Sequence, residues 1–285
     1  WMKGGKGLDK FREDMINDKR IKFLYDFENA KECFKDINLD GGVCYFLWDK
    51  NYDGICKTYY KPIENKEIFS ERFLKTDVTN NIVRDIRQLP IIEKARSKNQ
   101  DQFSSIVSRR KPYGISTDLF NDPEKYGHKE IPSKPFKDSL KIYGVKGNKG
   151  GAKRMIGYIE KNKITDCKSI GKYKLFHSYA GSTTSTVPPE IIIGLPNEIC
   201  TETYLKIGFF NTKKEALNCL SYIKTKFFRA LLWYNRIQKN LSKTTFDLIP
   251  LQNFEKQYTD KELYKKYGLT NSEIDFIEKN IKEMV

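Results

Sequence analysis

The segment from Thr212 to Arg236 constrains the fold more than any other stretch, because its apolar residues recur at steps of three and four. This spacing places one apolar stripe along one face of a helix. Thr212 and Glu215 form the sequence pattern of a capping box, in which the hydroxyl and the carboxylate each satisfy a free amide at the helix start. The segment therefore predicts one long helix packed into a core. The stripe comprises Ala216, Leu220, Ile223, Phe227 and Leu231, and is widened by Phe228, Leu232 and Trp233.

Four basic residues of this segment fall mostly off the apolar stripe, which predicts a basic outer face. They are Lys224, Lys226, Arg229 and Arg236. Such a face has two interpretations. It is either an ordinary solvated helix surface, the commoner case for charged side chains, or a surface that contacts phosphates. The rest of the chain has to decide between them.

The charge balance points to a polyanionic partner. The chain of 285 residues carries 52 Lys and Arg against 37 Asp and Glu, a net charge of +15. Nucleic acid is the first expectation and an anionic membrane the second. The excess is local: residues 141–174 contain ten basic and two acidic residues, whereas residues 251–285 contain six and seven. A uniform compositional bias would not produce this contrast, so the charge indicates a localised surface.

The sequence lacks the patterns of a self-contained active site. Its six cysteines form no C-x-x-C pair, and with only two histidines no zinc-ligand spacing is present. There is no phosphate-binding loop, no G-x-G-x-x-G and no G-x-S-x-G. We therefore expect no catalytic, cofactor-binding or metal-binding residue in this chain. Scattered cysteines without a signal peptide or a membrane-length apolar run predict reduced thiols in a cytoplasmic protein.

Local patterns predict an α+β fold in a chain long enough for one large domain or two ordinary ones. The apolar run at residues 41–49 predicts a strand covered on both faces of a sheet. Capping boxes at Thr259 and Thr270 predict two short C-terminal helices. Further helices are predicted at Asp9 to Asn17 and at Pro90 to Ser108. Further strands are predicted at Ile21 to Phe27, Lys141 to Val145, Met155 to Ile159, Lys172 to Tyr179, Ile191 to Leu195 and Tyr204 to Phe210.

Two groups of basic residues in predicted loops are candidates for phosphate contact. Arg109, Arg110 and Lys111 stand beside Tyr113, whose ring we expect to stack on a base. The second group, Lys149, Lys153 and Arg154, lies among glycines, where a backbone can approach a phosphate closely. For each group alone, the alternative is an ordinary solvated loop.

A third group of candidates surrounds the predicted strand from Lys172 to Tyr179. Lys172 and Lys174 are expected on one side of this strand, and His177 is either a DNA contact or a hydrogen-bonded structural histidine. The following loop is rich in hydroxyl groups, and we expect Ser182, Thr183 and Thr184 to donate hydrogen bonds to phosphates or base edges. Several such groups in one region favour nucleic-acid binding jointly.

Several motifs, spread over nearly the whole length, resemble the C-terminal half of restriction–modification adenine-N6 DNA methyltransferases, which are bacterial type II enzymes that include the fused type IIG proteins. The N-terminal match is Trp1 with Gly-Gly-x-Gly-Leu-Asp-x-Phe-Arg ending at Arg12, followed by the Ile21 to Phe34 segment and Gly-Gly-Val-Cys-Tyr-Phe-Leu-Trp ending at Trp48. The later matches are Arg110 to Gly114, Lys172 to Lys174, Ile199 to Leu205, Tyr222 to Arg229 and Tyr264 to Ile281.

This resemblance implies two domains. Residues 1–58 would be the last helix and strands of a Rossmann-like α/β methyltransferase sheet. Residues 59–285 would be a mixed α/β target recognition domain with a long core helix, which reads double-stranded DNA while the catalytic half flips the adenine. The family's cofactor motif and its Asn-Pro-Pro-Tyr motif do not occur in this sequence. S-adenosylmethionine is thus expected only in a complete enzyme.

Two alternatives to a stand-alone DNA recognition module stay open. In the first, the chain is part of an active S-adenosylmethionine-dependent methyltransferase or restriction endonuclease. A missing or separate N-terminal half would complete that enzyme. In the second, it is a specificity or interaction subunit that docks on a catalytic chain through its exposed half-sheet at residues 21–27 and 41–49.

Overall fold

The computed structural model describes the whole chain except residues 1, 3–6, 37–38, 40, 64–65, 149–150, 166–167, 182–184, 190, 237–239 and 285. The helices are α1 (Asp9–Asn17), α2 (Leu89–Arg96), α3 (Lys213–Lys224), α4 (Lys226–Asn235), α5 (Asp260–Tyr267) and α6 (Asn271–Asn280). The strands are β1 (Ile21–Phe27), β2 (Val43–Trp48), β3 (Cys56–Lys61), β4 (Ile68–Arg72), β5 (Ser139–Asn148), β6 (Gly151–Glu160), β7 (Tyr173–Ser178), β8 (Ile192–Gly194), β9 (Glu198–Cys200) and β10 (Tyr204–Phe210). They form three sheets, and the mixed α+β class is confirmed.

The first sheet has the strand order β2–β1–β3–β4, in which β1 runs antiparallel to β2 and parallel to β3. Its inner face packs Leu24 against Ile16 of α1 and against Leu74 and Ile82. The predicted bounds of α1 and β1 are confirmed. The domain boundary that we predicted at residue 58 falls inside β3, and the sheet continues through β4.

The prediction that the apolar run at residues 41–49 is covered on both faces is wrong within the described part of the chain. The run forms β2, which lies at the edge of the first sheet. Tyr45 and Leu47 are 51% and 53% exposed on one face, and Phe46 and Trp48 are 41% and 42% exposed on the other. The physical reason is that Tyr45 to Trp48 lie at the sheet edge, where the described residues form no packed layer that buries either face.

A second core lies between a sheet of order β6–β5–β9 and a sheet of order β10–β7–β8. Strand β7 separates this core from the C-terminal core, because Phe176 packs in the second core and Leu175 packs in the C-terminal one. Strands β5 and β6 form a hairpin of ten residues per strand, longer than the two short strands that we predicted.

The C-terminal core contains the Thr212 to Arg236 segment, which is two helices and not the one helix that we predicted. Thr212 and Glu215 make the predicted capping box at the start of α3. The helix then stops at Thr225, whose extended backbone (ψ 148°) interrupts the helical path. Its hydroxyl donates to the Tyr222 carbonyl (2.7 Å) and accepts from the Phe228 amide (3.2 Å). Thr225 thus ends α3 and caps α4.

The basic outer face that we predicted for this segment is not present as such, because two of its residues are buried. Lys226 is 7% exposed and pairs with Glu278 and Glu283. Arg229 is 3% exposed and donates to the carbonyl of Lys282 (2.7 Å). These side chains hold residues 278–283 against α4, so they stabilise the packing of this part of the chain and do not form a basic surface.

The other helix predictions were confirmed in part. The capping boxes at Thr259 and Thr270 are present at the starts of α5 and α6. The helix predicted from Pro90 to Ser108 ends earlier, at Arg96, and a 3-10 turn follows at Phe103–Ile106. None of the helices in the described residues combines the length and the apolar character that crossing a bilayer requires.

Candidate nucleic-acid interface

The loop from Ser108 to Gly114 presents three basic residues at the surface, as predicted from its composition. Ser108 fixes its start on β10, since its amide donates to the Lys206 carbonyl (2.8 Å). Lys111 takes a left-handed conformation (φ 64°), and the Gly114 amide closes the turn on the Lys111 carbonyl (3.0 Å). Arg109, Arg110 and Lys111 are all exposed. A tight turn with three exposed cations can contact phosphate oxygens without rearranging a core.

Arg110 differs from its two neighbours because the fold holds its guanidinium. Its Nε lies 3.0 Å from a Glu202 carboxylate oxygen, and the guanidinium stacks 5.3 Å from the ring centroid of Tyr179. Arg109 and Lys111 have no ion pair within the described residues. These two are therefore the cations of this loop that an anion can engage without displacing a protein carboxylate.

Tyr113 lies in the second core and not at the surface. It is 0% exposed, and its hydroxyl is 3.1 Å from the Ser169 hydroxyl. A ring without exposed area cannot stack on a base. The prediction that Tyr113 stacks on a base is therefore wrong. The ring instead anchors the basic loop on the core below it.

Lys172 and Lys174 have different environments, although the sequence placed them together. Lys172 precedes β7 at the surface, and its Nζ donates to the Asn211 side chain (2.6 Å). Lys174 is 0% exposed and its Nζ donates to the carbonyls of Ile170 (3.1 Å), Leu195 (3.1 Å) and Glu198 (3.0 Å). Because β7 is buried on both faces, the expected alternation fails and Lys174 stabilises a buried turn instead of facing DNA.

His177 is also buried, which agrees with the interpretation as a hydrogen-bonded structural histidine. It is 1% exposed, and its Nδ1 lies 2.9 Å from the Ser178 carbonyl oxygen. Burial, aided by the nearby Arg236 and opposed by the Ser178 contact, lowers the pKa of His177 to about 4. The imidazole is therefore neutral at physiological pH and has no exposed edge for a DNA contact.

The hairpin of β5 and β6 presents Lys153 and Arg154 at the surface, as expected for phosphate contacts. It also presents Lys146, which the sequence reading left out and which lies directly opposite Lys153 in the strand ladder. The strand pairing would have identified it, but the predicted strand ended at Val145. Lys149 lies outside the described residues, as do Ser182, Thr183 and Thr184.

A polar cleft of about 600 Å³ lies between α1 with the 77–81 loop and the end of α4 with the segment that follows it, and no sequence motif predicted it. Its walls include Arg12 of α1, Arg96 at the end of α2 and Arg236 beyond α4. Asn and Thr side chains supply half of the remaining lining residues. The lining comes from segments more than 200 positions apart in the sequence, so no local motif marks it.

The described residues offer no metal centre, and three of their thiols are buried. No group of three or more His, Cys, Asp or Glu side chains in this part of the chain could hold a metal ion. Burial raises the pKa of the Cys56 thiol to about 11, and it also raises the pKa of Cys200 and Cys219. Protonated, buried thiols are poor nucleophiles.

Comparison with known proteins gives one informative similarity. No family model matches the chain. The chain is 34% identical over 86 residues to an uncharacterized adenine-specific methylase of Mycoplasma pneumoniae. That match covers 28% of this chain and spans 20% of the relative's length. The matched part of this chain is therefore similar to part of an adenine-specific methylase.

Proposed function

We propose that this chain is the DNA target recognition part of a bacterial restriction–modification adenine-N6 methyltransferase of type II or IIG. The observation that carries the proposal is the similarity to an adenine-specific methylase. The net charge of +15 and the exposed cations of the 109–111 loop agree with a double-stranded DNA partner. Lys and Arg contacts to phosphates would supply most of the affinity, and a smaller set of polar groups would select bases.

The proposal includes a catalytic partner half, because the sequence carries neither the cofactor motif nor the Asn-Pro-Pro-Tyr motif. The first sheet is then the end of a Rossmann-like methyltransferase sheet, and β2 is where the rest of that sheet joins. Support comes from the two exposed apolar faces of β2, since a strand with apolar residues on both faces is typical of the interior of an α/β sheet. S-adenosylmethionine would bind in the catalytic half.

The outer face of the first sheet favours a protein partner over nucleic acid at this place. Its ring pairs include Tyr25 with Tyr59 (centroids 5.5 Å apart) and Tyr25 with Tyr45 (5.3 Å). The lysines of this face are already paired, Lys57 with Glu71 (3.6 Å) and Lys61 with Glu32 (2.7 Å). An aromatic face whose described lysines are paired is typical of protein interfaces. The same observation supports the alternative of a specificity subunit that docks on a separate catalytic chain.

A charge reversal in the 109–111 loop tests the DNA-binding proposal. The double variant Arg109→Glu with Lys111→Glu leaves the Arg110–Glu202 pair in place. We expect weaker binding to every duplex, whatever its sequence. The slope of log K against log salt should become shallower by about 2, since each lost phosphate contact removes roughly one unit. Fluorescence anisotropy over a salt series measures both quantities.

The matched control is Lys261→Glu with Lys265→Glu on α5, which makes the same change in net charge at exposed positions of the acidic C-terminal segment. We expect this control to retain the wild-type slope. Equal losses in the two double variants would show that net charge alone governs binding, and would remove the 109–111 loop from the proposed interface.

A further inference from the structure

The β5–β6 hairpin projects beyond the core that holds its base. Leu140, Ile142 and Ile159 anchor the base and are at most 2% exposed. Beyond the core, residues 146–147 of β5 and 151–154 of β6 are all exposed. The ladder continues without interruption to the pair Asn148–Gly151. Four pairs beyond Gly144–Met155 extend the ribbon by about 13 Å at roughly 3.3 Å per residue.

The base of this ribbon is held rigidly where it leaves the core. Gly144 and Gly157 lack side chains where Phe120 packs, and a Cβ at Gly144 would lie 2.6 Å from the Phe120 ring. The Asn121 side chain then forms two hydrogen bonds to Gly147, to its amide and to its carbonyl (both 3.0 Å). A fixed base and an uninterrupted ladder hold the outer strand pairs in one orientation, as a recognition element requires.

The charge of the ribbon is unusual for a solvated hairpin. Lys146 and Lys153 are directly opposite each other, and like charges in that position destabilise a strand pair. Neither lysine has an acidic partner among the described residues, and Arg154 follows at once. The sequence from Lys141 to Ile159 contains no Asp or Glu. A polyanion would relieve this repulsion.

The dimensions decide which part of a nucleic acid fits. The major groove of B-DNA is roughly 12 Å wide and 8.5 Å deep and admits a two-stranded ribbon, whereas the minor groove is only about 6 Å wide. The projection of about 13 Å exceeds the depth of the major groove. Gly147 and Gly151 carry no side chains, which keeps the outer part of the ribbon thin.

We infer that the β5–β6 ribbon enters the major groove of duplex DNA, with Lys146 and Lys153 as its cationic contacts. This inference rests on the proposed DNA-binding function and goes beyond it. It assigns the groove, the element that enters it, and Lys146 as a contact residue. The 109–111 loop then supplies contacts to the phosphate backbone, and the ribbon supplies contacts to base edges.

The test compares two duplexes of identical sequence, one with ordinary cytosines and one whose cytosines carry glucosylated 5-hydroxymethyl groups. The sugar fills the major groove and leaves the phosphates and the minor groove unchanged. We expect the wild-type chain to bind the ordinary duplex about tenfold more tightly, the size of one lost base contact. Equal affinity for the two duplexes would overturn the inference.

The double variant Lys146→Thr with Lys153→Thr tests the ribbon itself. A Thr–Thr cross-strand pair is favourable, so the hairpin should retain its fold, which circular dichroism and thermal unfolding check. We expect this variant to lose most of the discrimination between the duplexes. The control Lys261→Thr with Lys265→Thr on α5 removes the same charge and should keep it. A folded ribbon variant with full discrimination would contradict the assignment.

The outcomes separate the two proposals. Tight binding to both duplexes with a steep salt dependence keeps the DNA-binding function and rejects groove entry. Absence of binding to either duplex at low salt rejects the DNA-binding function, and the ribbon inference falls with it.

Discussion

At the scale of single residues, the same side chain has opposite roles two positions apart. Lys172 is at the surface beside Asn211, whereas Lys174 directs its ammonium group into the protein toward three backbone carbonyls. Buried carbonyls require donors, and a lysine that satisfies three of them closes the turn between β8 and β9 onto β7. Residue type and spacing predict a charged strand face here, but they do not reveal that both faces of β7 are covered.

This difference predicts separate consequences for two matched substitutions. Lys174→Met removes three charge-assisted hydrogen bonds, although the Ile170 and Leu195 carbonyls still accept from backbone amides, so the free energy of unfolding should fall by about 3 kcal/mol. Lys172→Met alters a half-buried side chain at the surface and should change the free energy of unfolding by about 0.5 kcal/mol or less. Urea unfolding followed by circular dichroism measures both. Similar small changes in the two variants would mean that Lys174 does not support the turn.

At the scale of elements, local signals predicted element starts better than they predicted environments. The bounds of α1 and β1 and the capping boxes at Thr212, Thr259 and Thr270 depend on neighbours within a few residues, and they are confirmed. The break at Thr225 was missed because the residue three positions later is Phe228, and a capping box needs Glu or Gln there.

Long-range contacts account for the errors about charge. Lys226 pairs with Glu278, and Arg229 contacts the backbone of Lys282, so their partners lie about 50 positions away in the sequence. No periodicity of the helix itself contains that information. In the same way, what covers or leaves open a strand such as β2 depends on elements distant in the chain.

The open edge of β2 leads to a prediction about self-association. An edge strand with exposed apolar side chains is a template for pairing with another chain. We expect the isolated chain to associate reversibly through β2, and Leu47→Lys to suppress this by placing a charge in the edge. The control Leu217→Lys changes an apolar residue of α3 that is 40% exposed. Sedimentation velocity over a concentration series measures the degree of association. A monomer at all concentrations, or equal association of both variants, would contradict self-association through β2.

At the scale of the whole molecule, the candidate site was predicted only in part. The exposed cations Arg109, Lys111, Lys153 and Arg154 lie at the surface, because loops and hairpin tips with consecutive charges have no core to enter. Tyr113 and His177 lie in cores that assemble from separate segments, and the polar cleft is built from several distant parts of the chain. The surface charge of a region is therefore readable from sequence, whereas which members of the region are exposed is a property of the fold.

The central claim is that this chain binds double-stranded DNA through its own basic surfaces, and a salt series tests it most directly. Fluorescence anisotropy of labelled duplexes of random and varied sequence, without cofactor, gives the affinity at each salt concentration. The account predicts binding at low salt, with log K falling by about 0.9 per decade of salt for each phosphate contacted, and a preference among sequences. Absence of binding at low salt, or an affinity that does not depend on salt, would contradict it.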